Sequence, residues 1–182
     1  MADARMLLGR ARALYDDARL PFADRAQREA WRRGFASAAE WLRAALAHVR
    51  GAPLPAMRSD VQRLGIVKYA LCSAAAGPWL VAAAATGRWW LLTGAVLAFY
   101  AVEAQMVFLL PLALDGAHRR PLRESRRWTV RAGGTLAVMR TVIPLAAVML
   151  FGGVVGRGFV RSWCLGCLAV VVWYEDLRRA AR

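Results

Sequence analysis

Two thiols three residues apart, in Cys164-Leu165-Gly166-Cys167, are the sharpest chemical feature of this sequence. Positions i and i+3 of a helix share a face, so the pair is placed to exchange electrons as a dithiol and disulfide. Arg157 and Arg161 precede it, where positive charge favours thiolate. The plainer reading takes both residues as small packing groups, because a buried free cysteine behaves as a small hydrophobe. The remaining thiol, Cys72, also lies in an apolar stretch, so no disulfide framework of a small secreted domain is implied.

Glu103 and Arg140 interrupt apolar stretches, where ionised groups are rare and usually paired. Glu103 lies about 11 residues above Leu114, and Arg140 about 8 to 11 above the 129–132 boundary, which at 1.5 Å per residue are similar depths. The expectation is an interhelical ion pair between them, with Gln105 as a further hydrogen-bonding group. The functional alternative is a polar site for an anionic headgroup, a proton or a substrate. No tetrahedral metal set assembles, since the two histidines, His48 and His118, lie away from the thiols. There is no glycine-rich phosphate loop, and no cofactor is expected beyond a quinone under the thiol reading.

The CxxC on the last of four apolar segments resembles the arrangement in vitamin K epoxide reductase family membrane oxidoreductases. The resemblance implies a quinone-linked thiol–disulfide oxidoreductase acting through Cys164 and Cys167. It covers only those cysteines and the helix count. The family's second cysteine pair, in an extracytoplasmic loop, has no counterpart, and the connection after the first span is a tight turn. Asp115-Gly116-Ala117 followed by Arg119 is similar to the opening of the CDP-alcohol phosphotransferase pattern, but the later metal-holding aspartates are missing. A helix stop followed by a solvated basic stretch explains it more simply.

The elements that must position these groups are helical and apolar. The chain has 182 residues, 59% of them hydrophobic, and a mean hydropathy of +0.34, above the usual share for a soluble domain. Its net charge of +14 would suggest nucleic acid on a soluble chain. The arginines instead crowd residues 1–63 and 119–131, the asymmetry expected of cytoplasmic segments beside membrane spans. Membrane topology therefore accounts for the charge without nucleic acid. The N-terminus lacks the apolar run and small-residue cleavage site of a signal peptide.

The predicted architecture is an all-α integral membrane protein, a four-transmembrane-helix bundle with an N-terminal cytoplasmic helical hairpin. Residues 1–52 form a basic amphipathic arm: a helix over 4–19, a break at Leu20-Pro21-Phe22, Asp24 as a cap, and a second helix over 25–49. Residues 53–63 are a proline-stiffened linker with Ser59 and Gln62 as a capping box. Residues 64–177 hold spans at about 64–86, 89–114, 133–156 and 159–174, each judged against a hydrocarbon layer roughly 30 Å thick. Lys68 is expected to snorkel to the cytoplasmic surface, Gly77-Pro78 to kink its helix, and Gly152 with Gly156 to form a helix-packing pair. Residues 178–182 are a basic tail. Span four is the shortest, with a charge-free core of about 13 residues.

Three functions follow as expectations. The first is a small accessory or assembly protein of the inner (cell) membrane, both termini cytoplasmic. It would hold a protein partner or the bilayer through the Trp31, Phe35 and Leu42 seam and through Arg119, Arg120, Arg123, Arg126 and Arg127. The second is the thiol oxidoreductase. The third is a lipid or small-anion carrier built on Glu103 and Arg140.

Overall fold

The computed structural model describes residues 3–17, 38–57, 59–117, 120–152 and 158–181. Trp31, Phe35, Asp24, the Leu20-Pro21-Phe22 break, His118, Arg119, Gly156, Arg157 and Arg182 lie outside them. The described residues are helical and contain no strand.

Helix α1, Ala4–Tyr15, starts where the Asp3 carboxylate accepts from the Arg5 N–H at 2.9 Å. Such a cap satisfies one of the N–H groups that a helix start leaves open. Helix α2 is described from residue 38 and ends at residue 50, where Gly51 takes the left-handed conformation that stops it. Helix α3, Val61–Thr86, is capped by Asp60, which accepts from the Arg63 N–H at 3.1 Å. The cap is thus one residue later than the expected Ser59. Pro78 sits inside α3 without ending it.

The second apolar stretch is two helices in line: α4, Leu91–Met106, and α5, Leu109–Asp115. Pro111 has no N–H to give to the turn before it. Two hydroxyls of the following helix bond to carbonyls at this break: Ser125 Oγ donates to Gln105 O at 2.9 Å, and Thr129 Oγ1 to Ala104 O at 2.8 Å. Those hydroxyls seat α6, Pro121–Arg131, against the break. The basic stretch expected to be solvated is therefore an amphipathic helix, with Pro121 at its first position and Ser125, Trp128 and Thr129 turned inward. Helix α7, Gly134–Phe151, and α8, Phe159–Ala180, complete the chain.

Among the described residues, three segments are long and apolar enough to cross a membrane: Val61–Thr86, Leu91–Asp115 and Gly134–Phe151. Only 22% of the apolar window is buried inside the protein for the first and for the third, so most of their side chains need another apolar medium. α8 differs from them. Ten of its 22 residues are buried, and its ends carry Arg161, Glu175, Asp176, Arg178 and Arg179. It runs antiparallel to α7: Gly152 leaves room for Ser162, and Gly166 for Met149. On another side α1 covers it, with Leu7 and Ala11 buried.

The described parts of the arm pack into the bundle. Leu7 and Ala11 of α1, and Leu42, Ala45 and Leu46 of α2, belong to the same core as Phe108, Val138, Leu168 and Tyr174. Each large apolar side chain so buried contributes about 1.5–3 kcal/mol. That is enough to keep a basic arm on an apolar bundle.

Candidate functional site

The tight Gly87-Arg88 turn folds α3 and α4 into a hairpin, so residues roughly equidistant from it face each other. Trp79 covers Gly94, and Cys72 Sγ lies 3.7 Å from Glu103 Oε2. One turn from Cys72, Lys68 Nζ meets Glu103 Oε1 at 2.7 Å. The inward stripe of α3 is Val61, Gly65, Lys68, Cys72, Ala76 and Ala83, a seam of small residues apart from the lysine. Because Lys68 sits on this seam it is 4% exposed and does not snorkel.

This arrangement departs from the expected Glu103–Arg140 contact. Equal depth places two groups at one level, but helix rotation decides whether they meet. Arg140 lies on the outward face of α7 with Leu136 and Ile143, and it has no ion pair among the described residues. Gln105 donates instead to the Thr135 hydroxyl, joining α4 to α7 near its start. The signal that would have found Lys68 was the hairpin arithmetic around Gly87-Arg88.

The Lys68–Glu103 pair lines a cavity of about 250 Å³ between α3, α4, α5, α7 and α8. Its other walls are almost wholly apolar, among them Phe99, Val107, Leu145, Met149 and Val171, with the Tyr69 and Tyr100 rings beside the pair. Leu42 of α2 closes part of one wall. Leu150 and Trp163, 49% and 37% exposed, are the most exposed of the large apolar side chains in its lining. Along α7 and α8 the lining runs over Val142–Leu150 and Trp163–Val171, each about 12 Å at 1.5 Å per residue. The shape is an elongated cleft whose polar contribution is concentrated at one place.

Cys167 lines this cleft, whereas Cys164 is buried in the core cluster. All three cysteines are free thiols. Arg161, expected to favour thiolate, turns to α1: it pairs with Asp16 at 2.9 Å and stacks over the Tyr15 ring at 5.3 Å. No group of three or more metal-ligating side chains occurs among the described residues.

A second buried ionic cluster lies where α2, α5 and α8 end together, and sequence reasoning missed it. Arg50 donates to both oxygens of Asp115, at 2.6 and 2.9 Å, and more distantly to Glu175 at 3.3 Å. Tyr174 Oη donates to Asp115 Oδ2 at 2.5 Å. Arg178 forks onto Glu175 at 2.8 and 2.5 Å. The hydrogen bonds that Arg50 donates to Asp115 raise the Arg50 pKa against the effect of burial. Burial alone would raise the Glu175 pKa, but Arg178 and Arg50 together hold it below its ordinary value. Arg43 donates to Leu114 O at 2.9 Å and to Leu54 O at 3.0 Å, tying α2 to the end of α5 and to the linker. Gly116 takes a left-handed turn under that linker, where a Cβ would meet Ala56 O at 2.7 Å.

Of the residues expected to meet a partner, Leu42 is 5% exposed and occupied within the chain's own core. Arg120, Arg123, Arg126 and Arg127 are exposed along α6, and Arg127 pairs with Glu124 at 2.6 Å. No protein-family model matches the chain, and neither a curated protein nor a solved structure matches it.

Proposed function

We propose that the chain is an integral membrane protein that binds a small lipid-like molecule in the cleft between its apolar hairpins, as a carrier or binding protein. The observation behind this reading is the Lys68–Glu103 pair, an ionic group facing a cavity that is otherwise apolar. Ligand sites commonly combine apolar walls with a few placed polar groups, and intramembrane ionisable residues mark functional sites by default. The end of the bundle holding Arg50, Asp115, Glu175 and the α6 arginines is the cytoplasmic end by its positive charge. α8 then returns the chain to that end in the shelter of α1, α2 and α7. The protein purified in mild detergent is expected to carry a stoichiometric amphiphile, extracted by organic solvent and read by mass spectrometry. Ala146→Trp, which fills the cleft, removes that molecule while leaving the protein folded. An empty wild-type protein, or full retention by the tryptophan variant, would overturn the reading.

A second reading, assembly with a membrane or protein partner, is favoured by the exposed arginine face of α6. Replacing Arg120, Arg123, Arg126 and Arg127 together by glutamate is expected to release such a partner from a mild-detergent pull-down. Unchanged recovery would remove that reading and leave the cleft untouched.

A further inference from the structure

The charge and hydrogen bonding around Lys68 restrict what the cleft accepts. An ammonium has three N–H donors and no acceptor. Among the described residues, Lys68 has one ionic partner, Glu103 Oε1, with the face of Tyr69 at 5.4 Å and the Cys72 thiol also near it. Its side chain is 5% exposed, so the other donors turn neither to bulk water nor to another side chain. Buried donors of this kind are almost always satisfied, here by whatever occupies the cavity they line. Opposite, Glu103 Oε2 has only the weak Cys72 thiol at 3.7 Å.

The pair is neutral in sum, and among the described residues no other charged side chain lines the cleft. An anion placed beside Lys68 would also lie beside Glu103, in a medium where an uncompensated ion costs several kcal/mol. A neutral oxygen incurs no such cost. It can accept from Lys68, and if it carries a hydroxyl it can donate to Glu103.

We infer that the cleft selects a neutral, single-headed amphiphile, an alcohol or carbonyl on a hydrocarbon tail, and rejects the phosphate-bearing counterpart of the same tail. This rests on the binding reading above and sets the chemical class of its ligand. At the packing density of protein interiors the cavity holds a tail on the order of ten carbon atoms. The occupant is therefore a short molecule, or the head and first part of a longer one.

The test uses the full chain in nanodiscs with two photoactivatable probes, a ten-carbon alcohol carrying a diazirine and its phosphate monoester, and maps labelled peptides by mass spectrometry. The alcohol is expected to label cleft-lining segments of α7 and α8 at least roughly tenfold more than the phosphate, because the phosphate brings an uncompensated negative charge beside Glu103. Lys68→Met is expected to lower alcohol labelling by a similar factor. Lys68→Met with Glu103→Leu removes both charges together, so loss of labelling in a folded variant is separable from misfolding. Phosphate labelling equal to or above that of the alcohol overturns the neutral-head assignment while sustaining a binding cleft. No cleft labelling by either probe overturns both.

Discussion

Two buried ionic clusters occur among the described residues, and they differ in how completely they are satisfied. At the junction, Asp115 receives two bonds from Arg50 and one from Tyr174, and Glu175 receives a fork from Arg178 together with Arg50. In the cleft, Lys68 and Glu103 share one contact beside an open cavity. A saturated network fixes three helix ends in one geometry, which is a structural task. An unsaturated pair facing a cavity keeps capacity for something else. Burial and charge alone would have scored the two clusters alike; the count of filled donors and acceptors separates them.

The largest effect is expected at the junction. Asp115→Ala leaves Arg50 and Tyr174 without their main acceptor, and breaking a buried pair in this way costs about 3–5 kcal/mol. It should appear as a large drop in melting temperature in detergent, together with proteolytic release of α2 at the linker. If Asp115→Ala proved no more damaging than Lys68→Met, the contrast between the two clusters would fail.

Lys68→Met ranks next, costing about 1–3 kcal/mol, because the carboxylate it strands lines an open cavity rather than close-packed protein. The double change Lys68→Met with Glu103→Leu should recover most of that loss, since replacing both members of a buried pair with apolar groups is often neutral. Arg50→Met with Asp115→Leu should not recover, because Glu175 and Tyr174 remain behind. Thermal melts of the four variants measure this directly.

What the sequence revealed follows the same division. The apolar spans were legible because run length alone identifies a segment that needs lipid, as in Val61–Thr86. α8 was harder, since its apolar residues serve the protein's interior and its ends are charged. Lys68 and Glu103 were legible in principle by folding α3 onto α4 at Gly87-Arg88. Depth counted from the cytoplasmic ends matched Glu103 to Arg140 equally well, because depth carries no information about rotation. The junction was beyond reach: Arg50 meets Asp115 across 65 residues and Glu175 across 125. Locally, Asp115-Gly116 shows only a helix stop.

Acid should loosen the junction. The Glu175 pKa is held below its ordinary value of 4.5, so its stabilising contribution is complete above that pH and is lost as pH falls further. Protonation removes the charge that Arg178 and Arg50 bind, and α2 should become accessible to protease below about pH 4.5. Glu175→Gln should abolish that acid dependence while lowering stability at neutral pH. An acid transition of the same midpoint in Glu175→Gln would assign it to another group.

The smallest effect is expected where α1 rides on α8. Arg10 pairs with Asp176 at 2.5 Å and Arg161 with Asp16 at 2.9 Å, but these side chains are about 40–50% exposed. Exposed pairs contribute about 0.2–1 kcal/mol and weaken with salt. Arg10→Gln should therefore shift the melting temperature little, and less still at high ionic strength. Leu7→Asp should detach α1 outright, because Leu7 is 3% exposed in the core shared with α8. Were Arg10→Gln to cost as much as Leu7→Asp, the Arg10–Asp176 pair would behave like the saturated junction, and exposure would no longer separate ion pairs that hold this fold from those that decorate it.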